Sequence, residues 1–391
     1  MQHTFMAKNP SVLWFLLGLS LFTVFVTIFS EAVGSTGVST SFLKTLGKTL
    51  CLCLVAIAMD VVWGYCGILS LGHFAFFGIG GYAIGMWLMY ERTKNIVVGS
   101  LENNILPPTP EEVEAAIGTQ IFGVVGSSEF PLIWAVSHSL TLQLLAVVIV
   151  PGMLALAFGW LAFRSRVTGV YLSILTQAMT LALSLYLFQN DTGLRGNNGL
   201  SGLQNIPGLE AVSQATLSLW FFWASAFALG AGYVFFAWML AGKFGSVIRA
   251  IRDNEARIRF LGYNVEHYKL LIFTTTAMIA GIAGALYYPQ AGIINPAEIA
   301  PIASIYLAVW VAIGGRGRLY GSVIGAVFVS LMSSWFTGGS APDINLGFYL
   351  VKWTDWWLVL LGLTFVGVTL FFPKGVGGLF DLISHYREKH Q

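Results

Sequence analysis

Long apolar runs alternate with short polar segments along almost the whole 391-residue chain. A helix needs about 20 mostly apolar residues to cross a bilayer. The pattern predicts ten such helices, with approximate bounds 11–29, 45–62, 72–90, 141–163, 168–188, 214–240, 270–288, 303–315, 319–337 and 354–373. We therefore expect an all-α polytopic membrane protein with one transmembrane domain over residues 1–391.

Composition supports this fold class and excludes several functions. The chain is 56% hydrophobic and 10% charged, with mean hydropathy +0.76, and its net charge of +2 gives no argument for a nucleic-acid partner. Cys51, Cys53 and Cys66 lie in apolar segments without other metal-ligand residues at suitable spacing, so we expect no metal site. The sequence contains neither a catalytic triad pattern nor H-E-x-x-H, and it has no G-x-x-x-x-G-K-[ST] phosphate loop. We expect neither an enzyme nor a nucleotide site in this chain.

Most basic residues fall in one alternate set of loops, and most acidic residues fall in the other. Because basic residues accumulate in cytoplasmic loops, the pattern predicts cytoplasmic termini, including the tail 374–391. It places the loop 91–140 outside and the loop 242–270 in the cytoplasm. Ser30-Glu31-Ala32 resembles a signal-peptidase site, but the apolar run before it exceeds a usual signal core. We favour a retained first helix; cleavage would leave nine.

The stretch from Gly64 to Gly85 carries a glycine every few residues. Small residues such as the pair Gly81 and Gly85 allow close helix packing in lipid. Glycines also allow a broken helix, which is tolerated at membrane depth where it is buried in protein or lines a wet path. Both explanations stay open. The glycines expected to serve packing or gating are Gly72, Gly78, Gly81, Gly85, Gly281, Gly284, Gly321 and Gly325.

Four polar side chains flank or interrupt this stretch, namely Asp60, Tyr65, Ser70 and His73. Gln177 is a fifth polar candidate, in the fifth predicted helix. Ionisable groups inside a membrane are costly and point to function, so these residues are candidates for lining a substrate path. The alternative is that Asp60 and His73 are solvated or cap the cytoplasmic ends of their helices.

Val247, Ile248, Ile251 and Ile258 recur at helical spacing in the loop 242–270. Charged residues fill the rest of the turn, which predicts a short amphipathic helix outside the membrane, ended by Gly262. Such a helix could lie flat on anionic headgroups. The mixed charges favour the alternative that it docks in a groove of a partner protein.

Several motifs, in order, resemble the LivM-type permeases of branched-chain amino acid ABC transporters. They are "GYCGILSLGHFAFFGIGGYAIG", "TGVYLSILTQAM", "IRDNEARIRFLGYNVEHYKLLIFTTTAMIAGIAGALY", "VWVAIGGRGRLYGSVIGA" and "FFPKGVGGLF". Within that group, "WGYCGILSLGHFAFF", "RGNNGL" and "AIRDNEARIRFLGYN" are most similar to the permease subunit of urea ABC importers.

The resemblance implies an importer in the bacterial inner membrane. It would contain a second, related permease subunit, two cytoplasmic ATPase subunits that bind ATP and Mg, and a periplasmic substrate-binding protein. Residues 246–262 would form the coupling helix that sits in the ATPase. The residues implied in coupling are Arg249, Arg252, Asp253, Glu255, Ala256 and Gly262. The loop departs from the family pattern, because Arg257 stands where alanine is usual and Gly262 follows Glu255 by seven residues.

The resemblance and the few charges within the predicted spans together favour urea as the solute, because a neutral solute needs only amide, hydroxyl and carbonyl partners. A branched-chain amino acid is the alternative. We expect alternating access, with the chain forming half of the path. Functions of another class are a passive urea channel or an ion-coupled transporter, but the coupling-like loop argues against both.

Overall fold

The computed structural model describes residues 10–35, 37–101, 109, 112, 115–119, 132–167, 169–189, 192–338, 344–345, 350–371 and 375. The helices are α1 (Pro10–Ile28), α2 (Thr40–Asp60), α3 (His73–Leu101), α4 (Leu140–Arg164), α5 (Val170–Phe188), α6 (Gln214–Ala241), α7 (Lys243–Asp253), α8 (Glu255–Phe260), α9 (Val265–Ala291), α10 (Pro301–Gly314), α11 (Leu319–Thr337) and α12 (Trp353–Phe371). The strands are β1 (Leu200–Ser201), β2 (Ile293–Ile294), β3 (Ile344–Asn345) and β4 (Leu350–Val351).

Each of the ten predicted spans coincides with one of these helices. Seven helices within the described ranges are long and apolar enough to cross a membrane, and two shorter ones, α10 and α12, are also apolar. The remaining long helix, α3, has 29 residues and carries Glu91, Arg92 and Lys94 in its second half. The chain is therefore an all-α polytopic membrane protein, as the apolar pattern predicts.

Helix α2 lies at the centre of the bundle. Together with the turn that follows it, it is 83% buried over its most apolar part, and it packs against α6, α9 and α11. Helix α9 in turn packs against α3 and α4. Helix α1 lies at the edge, only 11% buried, and contacts α6 through stacked rings of Phe15 and Tyr233, 3.8 Å apart.

The helices run back and forth, so their connections collect at two ends. We call inner the end formed by residues 61–72, 242–264 and 315–318, and outer the end formed by 192–212 and 292–299. At the outer end β1 pairs antiparallel with β2, Leu200 opposite Ile294. At the inner end Gly375 packs on Gly315. The rest of the predicted tail 374–391 lies outside the described residues.

The loop 242–270 forms two helices, α7 and α8, where the sequence predicts one. Asn254 separates them in an extended conformation, with φ −159°, and its side chain accepts a hydrogen bond of 3.0 Å from the Arg257 amide. Asparagine favours this capping position because its side-chain oxygen satisfies an amide at the helix start. The apolar face is confirmed by the burial of Ile248, Ile251 and Ile258. Gly262 ends α8 with φ +85°, as expected.

The predicted outer loop 91–140 begins later than expected, because α3 continues to Leu101. Its extra turns carry the ion pair between Glu91 and Lys94, 3.4 Å apart. Further along, Thr109 and Glu112 cap each other's backbone: the Thr109 amide donates to Glu112 Oε2 at 2.9 Å, and the Glu112 amide donates to Thr109 Oγ1 at 3.3 Å. This reciprocal pair has the form of a helix-starting capping box, and residues 115–119 are helical.

Candidate functional site

The glycine-rich stretch contains a break in the helix as well as close packing. At its end α2 widens into a π-helical turn, Val61–Tyr65, and helical structure resumes only at His73. Gly67, with φ +78°, turns the chain between them, in a conformation that other residues rarely adopt. A π-helical turn beside a break often marks a functional site.

Three hydroxyls of α5 satisfy the backbone of the broken segment. Ser173 donates to the Leu69 carbonyl at 2.7 Å, Thr176 accepts from the Leu71 amide at 3.0 Å, and Thr180 donates to the Leu71 carbonyl at 3.3 Å. Backbone groups without partners are costly inside a membrane. These residues are absent from the predicted site. Their spacing places them on one face of an otherwise apolar helix, and this pattern could have identified them from the sequence.

Asp60 lies at a tight junction between three parts of the inner end. Its side chain is fully buried, and Oδ1 accepts a hydrogen bond of 2.7 Å from the Gly317 amide. Arg252 of α7 donates from Nη1 to the Gly64 carbonyl at 2.8 Å. Gly64 has no room for a side chain, because a Cβ there would lie 2.7 Å from Gly317 Cα. We call Asp60, Gly64, Arg252 and Gly317 the inner junction.

His73 is fully buried, so neither it nor Asp60 is a solvated helix end. Its Nδ1 lies 3.2 Å from Ser70 Oγ, and its Nε2 lies 3.3 Å from Thr276 Oγ1 of α9. The ring also meets that of Phe273 edge to face, with centroids 6.1 Å apart. His73 therefore ties the start of α3 to α9.

Tyr65 lines a cavity of about 510 Å³ at the inner end. Arg249, Arg318 and Tyr233 line the same cavity. The structure thus brings Tyr65, predicted for the substrate path, next to Arg249, predicted for coupling. Gln177 is half-buried on α5 and lines neither this cavity nor the inner junction.

Four of the eight predicted packing glycines face another stretch of backbone, and the other four face side chains. A Cβ on Gly281 would lie 2.7 Å from Pro151 Cγ, and one on Gly78 or Gly81 would collide with Ile299 or with Tyr288. These contacts leave no space for a larger residue, because interiors are already close-packed.

The remaining predicted glycines differ in how tightly they are enclosed. Gly284 directly faces the Phe77 carbonyl, and a Cβ on Gly321 would lie 2.7 Å from the Gly315 carbonyl oxygen. Gly325 faces the backbone of Gly314 at the same distance. Gly72 and Gly85 are less tightly enclosed, with nearest atoms at 3.1 and 3.3 Å.

Glu255 joins α8 to the start of α9. Its Oε2 accepts from Lys269 Nζ at 2.6 Å and its Oε1 from Arg259 Nη2 at 2.6 Å, while Arg259 also pairs with Glu266. Burial alone would raise the pKa of Glu255, but the hydrogen bonds from Lys269 and Arg259 outweigh it and hold the pKa below its usual value. Asp253 pairs with Arg252 at 3.1 Å, and Ala256 is exposed.

The tip of the loop is apolar and exposed. Phe260 is 92% exposed, and Leu261 and Tyr263 are also exposed. An exposed apolar cluster outside the spanning segments is typical of a protein contact. The coupling residues predicted from the sequence, which include Arg252, Glu255 and Ala256, do not include this cluster.

The residues 41–369 match the family model of the branched-chain amino acid transport system permease component. The chain is 25% identical over 231 residues to the high-affinity branched-chain amino acid transport system permease protein LivM of Escherichia coli (strain K12), covering 53% of this chain and 54% of LivM.

Two relatives with other names also match. The chain is 30% identical over 149 residues to the autoinducer 2 import system permease protein LsrC of Klebsiella pneumoniae, covering 34% of this chain and 40% of LsrC. It is 28% identical over 97 residues to the ribose import permease protein RbsC of Escherichia coli (strain K12), covering 24% and 30%. The chain spans about half or less of the length of these curated relatives, and no solved structure matches it. Because the family model covers most of the residues, the chain belongs to the branched-chain amino acid transport system permease family.

Proposed function

We propose that this chain is the transmembrane permease subunit of an ATP-driven importer in the bacterial inner membrane, with urea as its first candidate solute. The observation that carries the proposal is the hydrogen bond from Arg252 to the Gly64 carbonyl. It joins the loop predicted to meet an ATPase to the broken helix predicted to line the path. A channel or a scaffold has no need of such a connection.

The working importer would contain further subunits. A second, related permease would complete the path, two ATPase subunits would bind ATP and Mg in the cytoplasm, and a periplasmic protein would deliver the solute. In this arrangement the inner end of the bundle and both chain termini lie on the cytoplasmic side. The residues around Phe260 contact the ATPase. Names of relatives that describe import systems support this assembly.

Coupling would proceed through short, rigid contacts. Movement of the ATPase shifts α7 and α8, whose buried Ile251 and Ile258 share one hydrophobic cluster, while the ion pair of Glu255 with Lys269 ties α8 to α9. Arg252 passes the shift to Gly64 and so to the broken segment. The segment is fixed to α5 by Ser173 and Thr176, so α5 moves with it. Opening and closing of the path would follow from this two-state movement.

Two solutes remain candidates. Urea is favoured by the similarity of the motifs around Gly64 and Arg195 to urea importers. A branched-chain amino acid is favoured by the family and by the name of LivM.

The test is uptake of labelled urea and labelled leucine in cells that express the chain with its neighbouring transport genes, with and without ATP depletion. We expect ATP-dependent urea uptake that leucine does not inhibit. ATP-dependent leucine uptake would support the importer proposal but change its solute from urea to a branched-chain amino acid. Urea flux that survives ATP depletion would overturn the importer in favour of a channel, and flux that follows an ion gradient would favour an ion-coupled transporter.

A further inference from the structure

Five ionisable side chains that the sequence-based site omits converge in the outer half of the bundle. They come from three helices and one turn: Lys48 of α2, Tyr82 of α3, Tyr287 and Tyr288 of α9, and Glu298. Glu298 lies within electrostatic range of the other four. We call this group the outer cluster.

The turn that carries Glu298 is inserted into the bundle. Residues Pro296–Ile299 form one 3-10 turn ahead of α10, which has 14 residues and is ~21 Å long. The hydrocarbon core is ~30 Å thick, so α10 and the turn must cross it together. Ile299 is fully buried and rests on Gly78 of α3. This is a discontinuous span, the kind of element that forms solute sites in many transporters.

Backbone and side-chain contacts fix the turn in place. Ser184 of α5 donates to the Pro296 carbonyl at 3.1 Å, and the Asn295 side chain accepts from the Ala297 amide at 3.0 Å. On the opposite side the ring of Tyr288 packs on Gly81, where no side chain would fit. The outer cluster is therefore held by the same elements that hold the broken helix.

Lys48 faces this turn from within α2. It lies eight residues after the start of the helix, ~12 Å along its axis, and is half-buried. Although Lys48 and Glu298 attract each other, they do not form one of the salt bridges in the described part of the chain. An ammonium and a carboxylate thus lie within electrostatic range of each other, farther apart than a direct salt bridge.

Two buried tyrosines also lie within electrostatic range of Glu298. Tyr82 Oη is buried and has no hydrogen-bond partner in the described residues. Tyr288 Oη lies close enough to the Glu298 carboxylate to interact with it, although the pair does not meet strict hydrogen-bond geometry. Buried hydroxyls are nearly always hydrogen-bonded, because leaving one unpaired costs free energy. Donors and acceptors of both kinds are therefore available to a solute.

We propose that the outer cluster is an intramembrane binding site for a small solute that carries both N–H donors and a carbonyl or carboxylate oxygen. Glu298 accepts from the N–H groups, Lys48 donates to the oxygen, and the hydroxyls of Tyr82 and Tyr288 complete the shell. Urea and an amino acid share this chemistry. The inference rests on the proposed importer, because the site would hold the transported solute during passage.

The test uses the full complex in proteoliposomes with the variants Lys48→Met, Tyr82→Phe and Glu298→Gln. We expect Lys48→Met and Tyr82→Phe each to lower uptake at subsaturating solute at least tenfold, with complex assembly within twofold of wild type. Matched controls are Lys44→Met, one turn earlier in α2, and Glu210→Gln, exposed at the outer end. Both should transport like wild type.

Glu298→Gln separates the two solutes. A glutamine still accepts an N–H group but carries no charge, so urea uptake should stay within threefold of wild type. Uptake of an amino acid should fall at least tenfold, because its ammonium group loses a charged partner. Wild-type uptake in all three variants would overturn the binding site while leaving the importer intact.

Direct binding keeps the two proposals distinguishable. Solute-induced thermal stabilisation of the purified permease should be present in wild type and lost in Tyr82→Phe, a variant that keeps the ring and its packing. If the wild-type complex shows no ATP-dependent uptake but this stabilisation is found, the importer fails and the site stands. Equal stabilisation of wild type and Tyr82→Phe overturns the site.

Discussion

Arg252 Nη1 lies 2.8 Å from the carbonyl oxygen of Gly64, and this single hydrogen bond joins α7 to the π-helical turn that ends α2. The guanidinium also pairs with Asp253, at 3.1 Å. A charged donor on a backbone carbonyl is a strong contact, and here it bridges two elements 188 residues apart in the chain. It connects the loop 242–270 directly to the broken helix.

We expect Arg252→Met to uncouple the ATPase from transport. Loss of a hydrogen bond from a charged donor costs ~1.5–3 kcal/mol, which corresponds to ~10-fold or more in rate. Uptake should fall accordingly, while the ATPase subunits still co-purify with the permease. Arg257→Met is the matched control, because Arg257 is exposed on the adjoining helix. Equal uptake in the two variants would contradict the role of Arg252.

The Asp60 carboxylate is expected to matter as an acceptor for the Gly317 amide rather than as a charge. Asp60→Asn keeps the accepting oxygen and should retain the fold. Asp60→Leu leaves a buried amide unpaired, so the free energy of unfolding should fall by ~1–3 kcal/mol. Thermal unfolding in detergent measures both. A titrating role for Asp60 would show instead as loss of uptake in Asp60→Asn.

Substitution of a hydroxyl in α5 should loosen the broken segment. Thr176→Val removes the acceptor of the Leu71 amide and should lower the free energy of unfolding by ~1–3 kcal/mol. Thr275→Val is the control, since the Thr275 hydroxyl bonds only within its own helix. The rate of hydrogen exchange at the Leu71 amide should rise in Thr176→Val alone. An unchanged rate would argue against the role of Thr176 in holding the broken segment.

Gly284→Leu should prevent assembly of the bundle. The added side chain would enter the space occupied by the Phe77 carbonyl, and backbone atoms cannot yield as side chains do. Gly362→Leu places the same residue in open space on α12 and should be harmless. Size-exclusion chromatography of the two purified variants distinguishes folded from aggregated protein. A monodisperse Gly284→Leu permease would show that α3 and α9 can separate.

Phe260→Ala should weaken association with the ATPase. Aromatic anchors at an interface commonly contribute ~2 kcal/mol, which corresponds to ~30-fold in Kd. Phe227→Ala is the control, because Phe227 is 78% exposed on the apolar surface of α6. Affinity between detergent-purified permease and ATPase subunits measures the effect. If both variants bind like wild type, the cluster around Phe260 is not the contact.

The membrane architecture could be predicted because long apolar runs impose helices regardless of tertiary detail. Asp60 and His73 could also be singled out, since polar groups stand out in an apolar run. Their partners could not be, because Gly317 and Thr276 lie some 200 residues or more away and only packing brings them near.

The proximity of Lys48 and Glu298 could not be predicted from the sequence for a different reason. Each lies close to the boundary of an apolar run, so charge counting assigns both to the outside. The insertion of Pro296–Ile299 beside α3 depends on the absence of a side chain at Gly78. The hydrophobic periodicity of the sequence does not reveal such a contact between distant segments. The split of α7 from α8 at Asn254, by contrast, could have been predicted from its capping preference.

The hydroxyls of Ser173, Thr176 and Thr180 in α5 bind the broken segment through its backbone rather than through its side chains. Leu69 and Leu71 are held to α5 through their main-chain atoms, and their half-buried side chains also pack against the core. The conformation of this stretch therefore depends on hydroxyl groups of another helix, about a hundred residues later in the chain. A library of apolar residues at 69 and 71 would therefore keep the three main-chain hydrogen bonds that fix this segment to α5.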